Sequence, residues 1–363
     1  MLRRGFLSGS FYLSFQYDLT PHIEWDGPNV RAVRFNNAGQ TCRWYSGSGI
    51  YRHVWLTTTD KLHVGHWGTA VQTPAVSKDS ATVRVNTLIK NENDIPKTCT
   101  LITQVLNTDG KLIAASRSTS EIAAQDEHGF TQDLRIDRPA LWFADSPMLY
   151  RASTIVETEG AITDHYPTPF GIRGVTWNSK QGLLVNGNKV FLKGVCIHHD
   201  LGCLGAAFHE RAMERRLEVL KGIGCNAIRT SHNPPAPELP EMCDRMGFYV
   251  IDEAFDKWGG SHNEAFFKDW KRDLRSMIQR DRNHPCVILW SVGNEVRQQK
   301  NPEGPKILKM LTEFTHREDP NRKVTCGVSP NYVPNFVKAT DIAALNYQEQ
   351  WLTTRIASPL VSA

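Results

Sequence analysis

The sequence predicts a multidomain chain that passes from all-β to α/β, and three observations carry this. Before residue 200 there are short alternating runs separated by turn residues, with no convincing helix. After about residue 167, apolar strand-like runs alternate with amphipathic stretches. In that second part, polar residues able to do chemistry gather where the apolar runs end.

Three regions follow from this texture: 1–58, 59–166 and 167–363. In the first, NVRAVRF (29–35) and IYRHVWL (50–56) read as strands around the Gly/Ser-rich WYSGSG. In the second, TVRVNTLIKN (82–91), TCTLITQVLN (98–107) and LYRASTIVE (149–157) continue as β, with turn signals such as Thr108-Asp109-Gly110. About a hundred residues of short strands fit a β-sandwich.

In the third region KVFLKGVCI (189–197) precedes HERAMERRLEVLKGIG (209–224), which puts Met213, Leu217 and Leu220 on one helical face. CNAIRT (225–230), FYVIDEAF (248–255) and CVILWSVGNEV (286–296) each precede a helical stretch, over 237–247, 266–281 and 305–319. KVTCGV (323–328) and DIAALNY (341–347) follow. Strands alternating with helices imply a parallel sheet with its polar groups at the C-terminal strand ends. Six strands are present, where a closed barrel of this type has eight.

Composition narrows the classes. The chain is 40% hydrophobic and 22% charged, which suits ordinary cores and excludes disordered, collagen-like and coiled-coil classes. No run of about 18 apolar residues occurs, so no membrane span is expected. A net charge of +4, dispersed, does not describe a nucleic-acid binder. The eight cysteines form no CxxC pair and read as free thiols rather than as a disulfide frame or zinc site. MLRRGFLSGSFYL resembles an export signal, but Gly5, Ser8, Gly9 and Ser10 break its apolar core, so no working signal is expected. The sequence assigns no compartment. Most of the ten tryptophans are expected in cores, the other use being stacking on sugar rings.

Four successive strand ends carry the chemistry: His198-His199-Asp200, Arg229 to Pro234, Asp252-Glu253 with Asp256 beyond, and Asn294-Glu295. Such groups are costly to gather on one face without a purpose. Glu295 follows a strand that is apolar up to Ser291. It reads either as a helix-start residue or as a general acid whose pKa is raised at a barrel mouth. Asn294 would then bond a substrate hydroxyl. His198 and His232 lack metal-ligand spacing and suit neutral hydrogen bonding better. Arg229 is expected either to pair with a carboxylate of the third strand or to touch substrate. No phosphate loop, dinucleotide fingerprint or serine-hydrolase elbow is present.

These residues lie in SFQYDLTPHI (14–23), RWYSGSGIYRHVWL (43–56), FLKGVCIHHD (191–200), GCNAIRTSHNPPAPELPEMCDRMGFYVIDEAFDKW (224–258) and RDRNHPCVILWSVGNEV (280–296). In these strings the chain resembles glycoside hydrolase family 2, particularly its bacterial β-galactosidase branch, from about residue 14 to 351. The resemblance implies a partial jelly-roll sugar-binding domain, an immunoglobulin-like β-sandwich and an incomplete TIM (β/α)8 barrel. It implies retaining hydrolysis of terminal β-D-galactosides, with Glu295 as acid/base. It implies a sugar site lined by His198, Arg229, His232, Asp256, Asn294, Trp258 and Tyr347, with Trp290 also near sugar. The implied substrate is a β-galactoside oligosaccharide or glycoconjugate, and the full-length form is expected to self-associate.

Some relatives contribute to a magnesium site through a D-E-A-x-x-E-x-H string. Here the aligned positions read Lys257 and Gly259, so no metal or other cofactor is expected. The family's nucleophilic glutamate has no counterpart after Glu349. The chain is therefore expected to be a fragment that lacks the second carboxylate of a retaining pair and is inactive alone. The alternatives are a sister specificity, β-glucuronidase or β-mannosidase, and a non-catalytic carbohydrate-binding protein.

Overall fold

The computed structural model describes residues 12–34, 49–259 and 266–348. The N-terminal arginine pair, Cys42 and Glu349 lie outside the described residues. Within 12–34 and 49–59 the only regular element is a 3-10 turn at Thr20–His22. The described parts of the runs expected as strands at 29–35 and 50–56 belong to no ladder. Alternation alone does not make a strand, since a partner must take up the backbone N–H and C=O groups. Residues 51–53 instead bond to loops of the parallel sheet.

Seven antiparallel strands follow: β1 (Leu62–Val76), β2 (Ser80–Asn91), β3 (Lys97–Leu106), β4 (Leu112–Ile122), β5 (Asp126–Asp137), β6 (Tyr150–Thr158) and β7 (Ala161–Phe170). They form two sheets, β1-β2-β5 and β4-β3-β6-β7. Along β2 every second residue is buried, from Ala81 to Asn91, as a sheet with one covered face requires. The inward residues form two clusters, one around Val83, Val105, Ile136 and Phe170 and one around Leu62, Ile89, Leu101 and Val156.

A small antiparallel sheet of β8 (Val175–Asn178), β9 (Gly182–Val185) and β10 (Asn188–Lys189) leads into the parallel part. Six strands then pair in sequence order, every pairing parallel: β11 (Gly194–Ile197), β12 (Ala227–Thr230), β13 (Tyr249–Glu253), β14 (Val287–Asn294), β15 (Lys323–Val328) and β16 (Ile342–Leu345). The intervening helices are α1 (Glu210–Gly222), α2 (Glu238–Met246), α3 (Phe266–Asp281) and α4 (Gly304–Glu318). All eight residues of β14 are buried, which explains why it opens on the continuous apolar run Val287–Trp290. This is a sandwich joined to part of a βα barrel, as expected from the sequence; the described residues before β1 form no strand of the expected jelly-roll. No described helix is long and apolar enough to cross a membrane. The seven described cysteines are free, four of them buried.

Side-chain-to-backbone hydrogen bonds join the sandwich to the parallel part, just before β14 and at α2. The Asn283 amide pairs with β1 as another strand would: it donates to the Thr69 carbonyl at 2.9 Å and accepts from the Val71 N–H at 2.8 Å. Arg282 donates to the Trp67 carbonyl, and the Trp142 indole donates to the Asp244 carbonyl. Gly247, just past α2, is left-handed at φ 76°, and a Cβ there would lie 1.8 Å from the Ala144 carbonyl oxygen. Only glycine meets both conditions.

His284 sits 2.6 Å from Asp244 in this junction. Burial alone would lower its pKa, but the Asp244 carboxylate, with Asp281 and Glu241 also nearby, more than offsets this and raises it. The pair therefore contributes stability fully below about pH 6.5 and loses it as pH rises through the higher folded value. His284→Gln should cost about 1–3 kcal/mol at pH 6. In a Tm-against-pH series it should also flatten the decline above about pH 6.5. An unchanged slope would remove His284 as its source.

Candidate active site

The sheet turns one strand-end face towards β12, β13 and β14 together, and a carboxylate lies at its centre. Glu253, the last residue of β13, is 0% exposed. Its Oε2 accepts from Arg229 Nη2 at 2.6 Å, Arg229 Nε at 3.1 Å and Ser291 Oγ at 2.5 Å. Its Oε1 lies 2.5 Å from His232 Nδ1. Burial would lower the Arg229 pKa, but Glu253 outweighs it and the net direction is up. Arg229 is thus a fixed cation, neutralised in place.

The same guanidinium reaches Asn294 Oδ1 at 3.1 Å. Asn294, nearly buried at the end of β14, donates from Nδ2 to Asp256 Oδ1 at 3.2 Å. Lys257 Nζ binds Asp256 Oδ1 at 2.9 Å and the Asn294 carbonyl at 2.7 Å. Glu295 follows with φ 46°, a conformation uncommon without glycine, which turns the chain out of the strand line. Its N–H donates to the Gly327 carbonyl at 2.7 Å. Asn346, just past β16, donates to both Asn294 Oδ1 (3.0 Å) and Glu295 Oε1 (2.9 Å).

His198 follows β11, its ring edge-on to His232 at 5.6 Å between centroids. Burial first, and then the neighbouring His232, hold His198 below the ordinary histidine value, so its imidazole is neutral at pH 7. The Ser231–His232 peptide is cis. His198, Arg229, His232, Asp256, Asn294 and Glu295 therefore stand in one neighbourhood, with Glu253, Lys257, Ser291 and Asn346 between them. Ser291 and Asn346 were not singled out from sequence. Asn346 directly follows the run IAAL, so the strand-end rule that found Glu295 applies to it as well.

Two expectations need correction. Trp258 is 1% exposed, its indole N–H given to the Val292 carbonyl, and Trp290 is 0% exposed with its N–H on Asp319. Neither presents a face to a ligand, because both rings fill the core between strands and helices. Tyr347 directly follows Asn346 and is 72% exposed. A divalent cation does not fit here, since the Lys257 ammonium already neutralises Asp256 and Gly259 offers no ligand.

Two glycines make room for the network. A Cβ on Gly327 would lie 2.5 Å from Arg229 Nη2 and 2.9 Å from Asn294 Oδ1. One on Gly293 would lie 2.9 Å from the Trp258 indole nitrogen.

Comparison with known proteins places this geometry in context. The family model for Glycosyl hydrolases family 2, TIM barrel domain, matches residues 178–360, and that for Glycosyl hydrolases family 2 matches 66–173. A β-galactosidase of Bacteroides ovatus is 50% identical over 379 residues, covering 93% of this chain and 44% of its own length. A putative β-glucuronidase of Formosa agariphila is 34% identical, covering 87% of this chain and 30% of its own. The crystal structure of a glycosyl hydrolase family 2 member from Bacteroides cellulosilyticus superposes with a TM-score of 0.84 at 39% identity, over 88% of this chain and 44% of that one. The chain thus spans under half the length of these relatives.

The close approach at Gly327 has a measurable consequence. Gly327→Ala should lower stability by about 1–3 kcal/mol in denaturant unfolding, because Arg229 and Asn294 must both give way. Gly129→Ala on β5, where a Cβ meets open space, is the control and should cost far less.

Proposed function

This chain belongs to glycoside hydrolase family 2, and on that footing we propose that its strand-end site binds terminal β-D-galactosides and supplies the acid/base group for their retaining hydrolysis. The observation that carries the reading is the placement of Glu295. Asn346 holds it beside Asn294 through one amide bonded to both, and only Oε1 is engaged by a described residue. A half-buried carboxyl held at one oxygen can present the other to a glycosidic oxygen. In the first step Glu295 gives its proton to that oxygen while a second carboxylate, which no described residue supplies, attacks the anomeric carbon and displaces the leaving group. In the second it takes a proton from the water that attacks the same carbon.

No described residue is assigned as the nucleophile. Both oxygens of Glu253 are taken by Arg229, His232 and Ser291, and Asp256 is held by Lys257 and Asn294. Neutral His198 and the Asn294 amide suit sugar hydroxyls.

Charge pairing supports a neutral sugar over a glucuronide. The two cations of the network, Arg229 and Lys257, are spent on Glu253 and Asp256. Calorimetry on the 363-residue chain should therefore give methyl β-D-galactoside a Kd at least roughly tenfold below that of methyl β-D-glucuronide. The reverse order would favour the glucuronidase reading. Glu295→Gln should leave galactoside binding by this chain within about threefold, and in a longer form that supplies the nucleophile it should lower β-galactoside turnover by roughly 10²–10⁴. Turnover undiminished in that variant would remove Glu295 from the role.

A further inference from the structure

Outside the barrel, residues 51–53 lie across the loops that follow β11 and β12. The Tyr51 carbonyl accepts from the Phe208 N–H at 2.9 Å, in the loop after β11. Arg52 reaches the loop after β12, where Nη2 donates to the Pro234 carbonyl at 2.8 Å and Nη1 to the Pro235 carbonyl at 2.9 Å. Nη1 also donates to the Tyr12 carbonyl at 2.5 Å. His53 Nδ1 lies 2.6 Å from Glu238 Oε1, at the start of α2. On the inner side the rings of Tyr12 and Tyr51 flank His199, at 4.9 and 6.4 Å between centroids.

The two loops carry His198 and His232. Pro234 and Pro235 have no N–H, so this turn cannot build a ladder of its own, yet both residues are buried. Their carbonyls need a donor from elsewhere, and a planar guanidinium with several N–H groups can serve two successive carbonyls at once. Pro234 is two residues from His232. A small cleft open to solvent is lined by Tyr51, Arg52 and Phe208 together with His198, Thr230 and Asn233.

We propose that Arg52 is a positioning residue for the sugar site: by binding the Pro234 and Pro235 carbonyls within a strap that also holds Phe208, it sets the placement of His232 relative to His198. The bearing on sugar affinity rests on the galactoside reading above. The bearing on the two imidazoles does not.

The test uses the 363-residue chain, Arg52→Met and Arg52→Lys. Imidazole Cε1–Hε1 signals are recorded at pH 7, with calorimetry against methyl β-D-galactoside and Tm alongside. Asn283→Ala, at the sandwich junction, controls for destabilisation. In Arg52→Met the His198 and His232 signals should move while those of His165 and His316 stay, and galactoside affinity should fall roughly tenfold. Arg52→Lys, which keeps the charge but not the fork, should move the same signals less, in the same direction. Asn283→Ala should lower Tm without moving them. Unmoved His198 and His232 signals in folded Arg52→Met overturn the proposal, and unmoved signals in Arg52→Lys do so should the methionine variant fail to fold. If the signals move but the unsubstituted chain binds no galactoside, the positioning role stands and the galactoside reading fails.

Discussion

A carboxylate taken fully out of water is tolerated only where cations and donors replace its hydration, and Glu253 meets that condition through Arg229, His232 and Ser291. These partners come from β12, the turn after it and β14. The interaction therefore locks the two flanking strands to β13 at their functional ends. Everything nearer the ligand face is referred to it in turn. Arg229 is fixed by Glu253, Asn294 by Arg229, Asn346 by Asn294, and Glu295 by Asn346. Removing one partner of such a buried pair costs about 3–5 kcal/mol in general, because the other charge is stranded.

The neighbouring Asp252 shows how strand alternation divides labour within one dipeptide. Successive side chains point to opposite faces, so Asp252 leaves the site and enters the layer between sheet and helices. There its Oδ1 accepts from Thr230 Oγ1, whose oxygen also receives the Glu253 N–H. Burial first, and then the nearby Asp281, push the Asp252 carboxyl well above its ordinary range. Asp281 is held ionised by the Arg280 fork at 2.7 and 2.5 Å. Arg280 in turn reaches Ser14 Oγ at 3.3 Å, so the layer behind the site also anchors the N-terminal segment.

Much of this was legible in the sequence because it follows from period and punctuation. The helical stretches expected over 209–224, 237–247, 266–281 and 305–319 match the four described helices to within two residues at each end. Strand-end clustering points to His198, Arg229, His232, Asn294 and Glu295 as one group. What escaped was decided by packing. Trp258 and Trp290 lie in strings that hold site residues, but their rings point into the core, and spacing alone does not say which way a ring turns. The runs at 29–35 and 50–56 alternate as strands do, yet the described residues make no ladder, since pairing is settled by what lies alongside. Ser291 was hidden inside an apolar run as a small residue, although its hydroxyl completes the shell of Glu253.

The amide of Asn294 is the most constrained group on the ligand face. Its oxygen accepts from Arg229 and Asn346, and its nitrogen gives one hydrogen to Asp256. Rotating the amide by half a turn would set donor against donor and acceptor against acceptor, so its orientation is fixed by three partners. The group cannot adapt to whatever arrives: with the oxygen saturated, it has a hydrogen left to offer and no lone pair. Any hydroxyl received there must turn its oxygen inward and send its own proton elsewhere. The site in effect imposes a direction on the hydrogen bonds around its ligand before the ligand has entered.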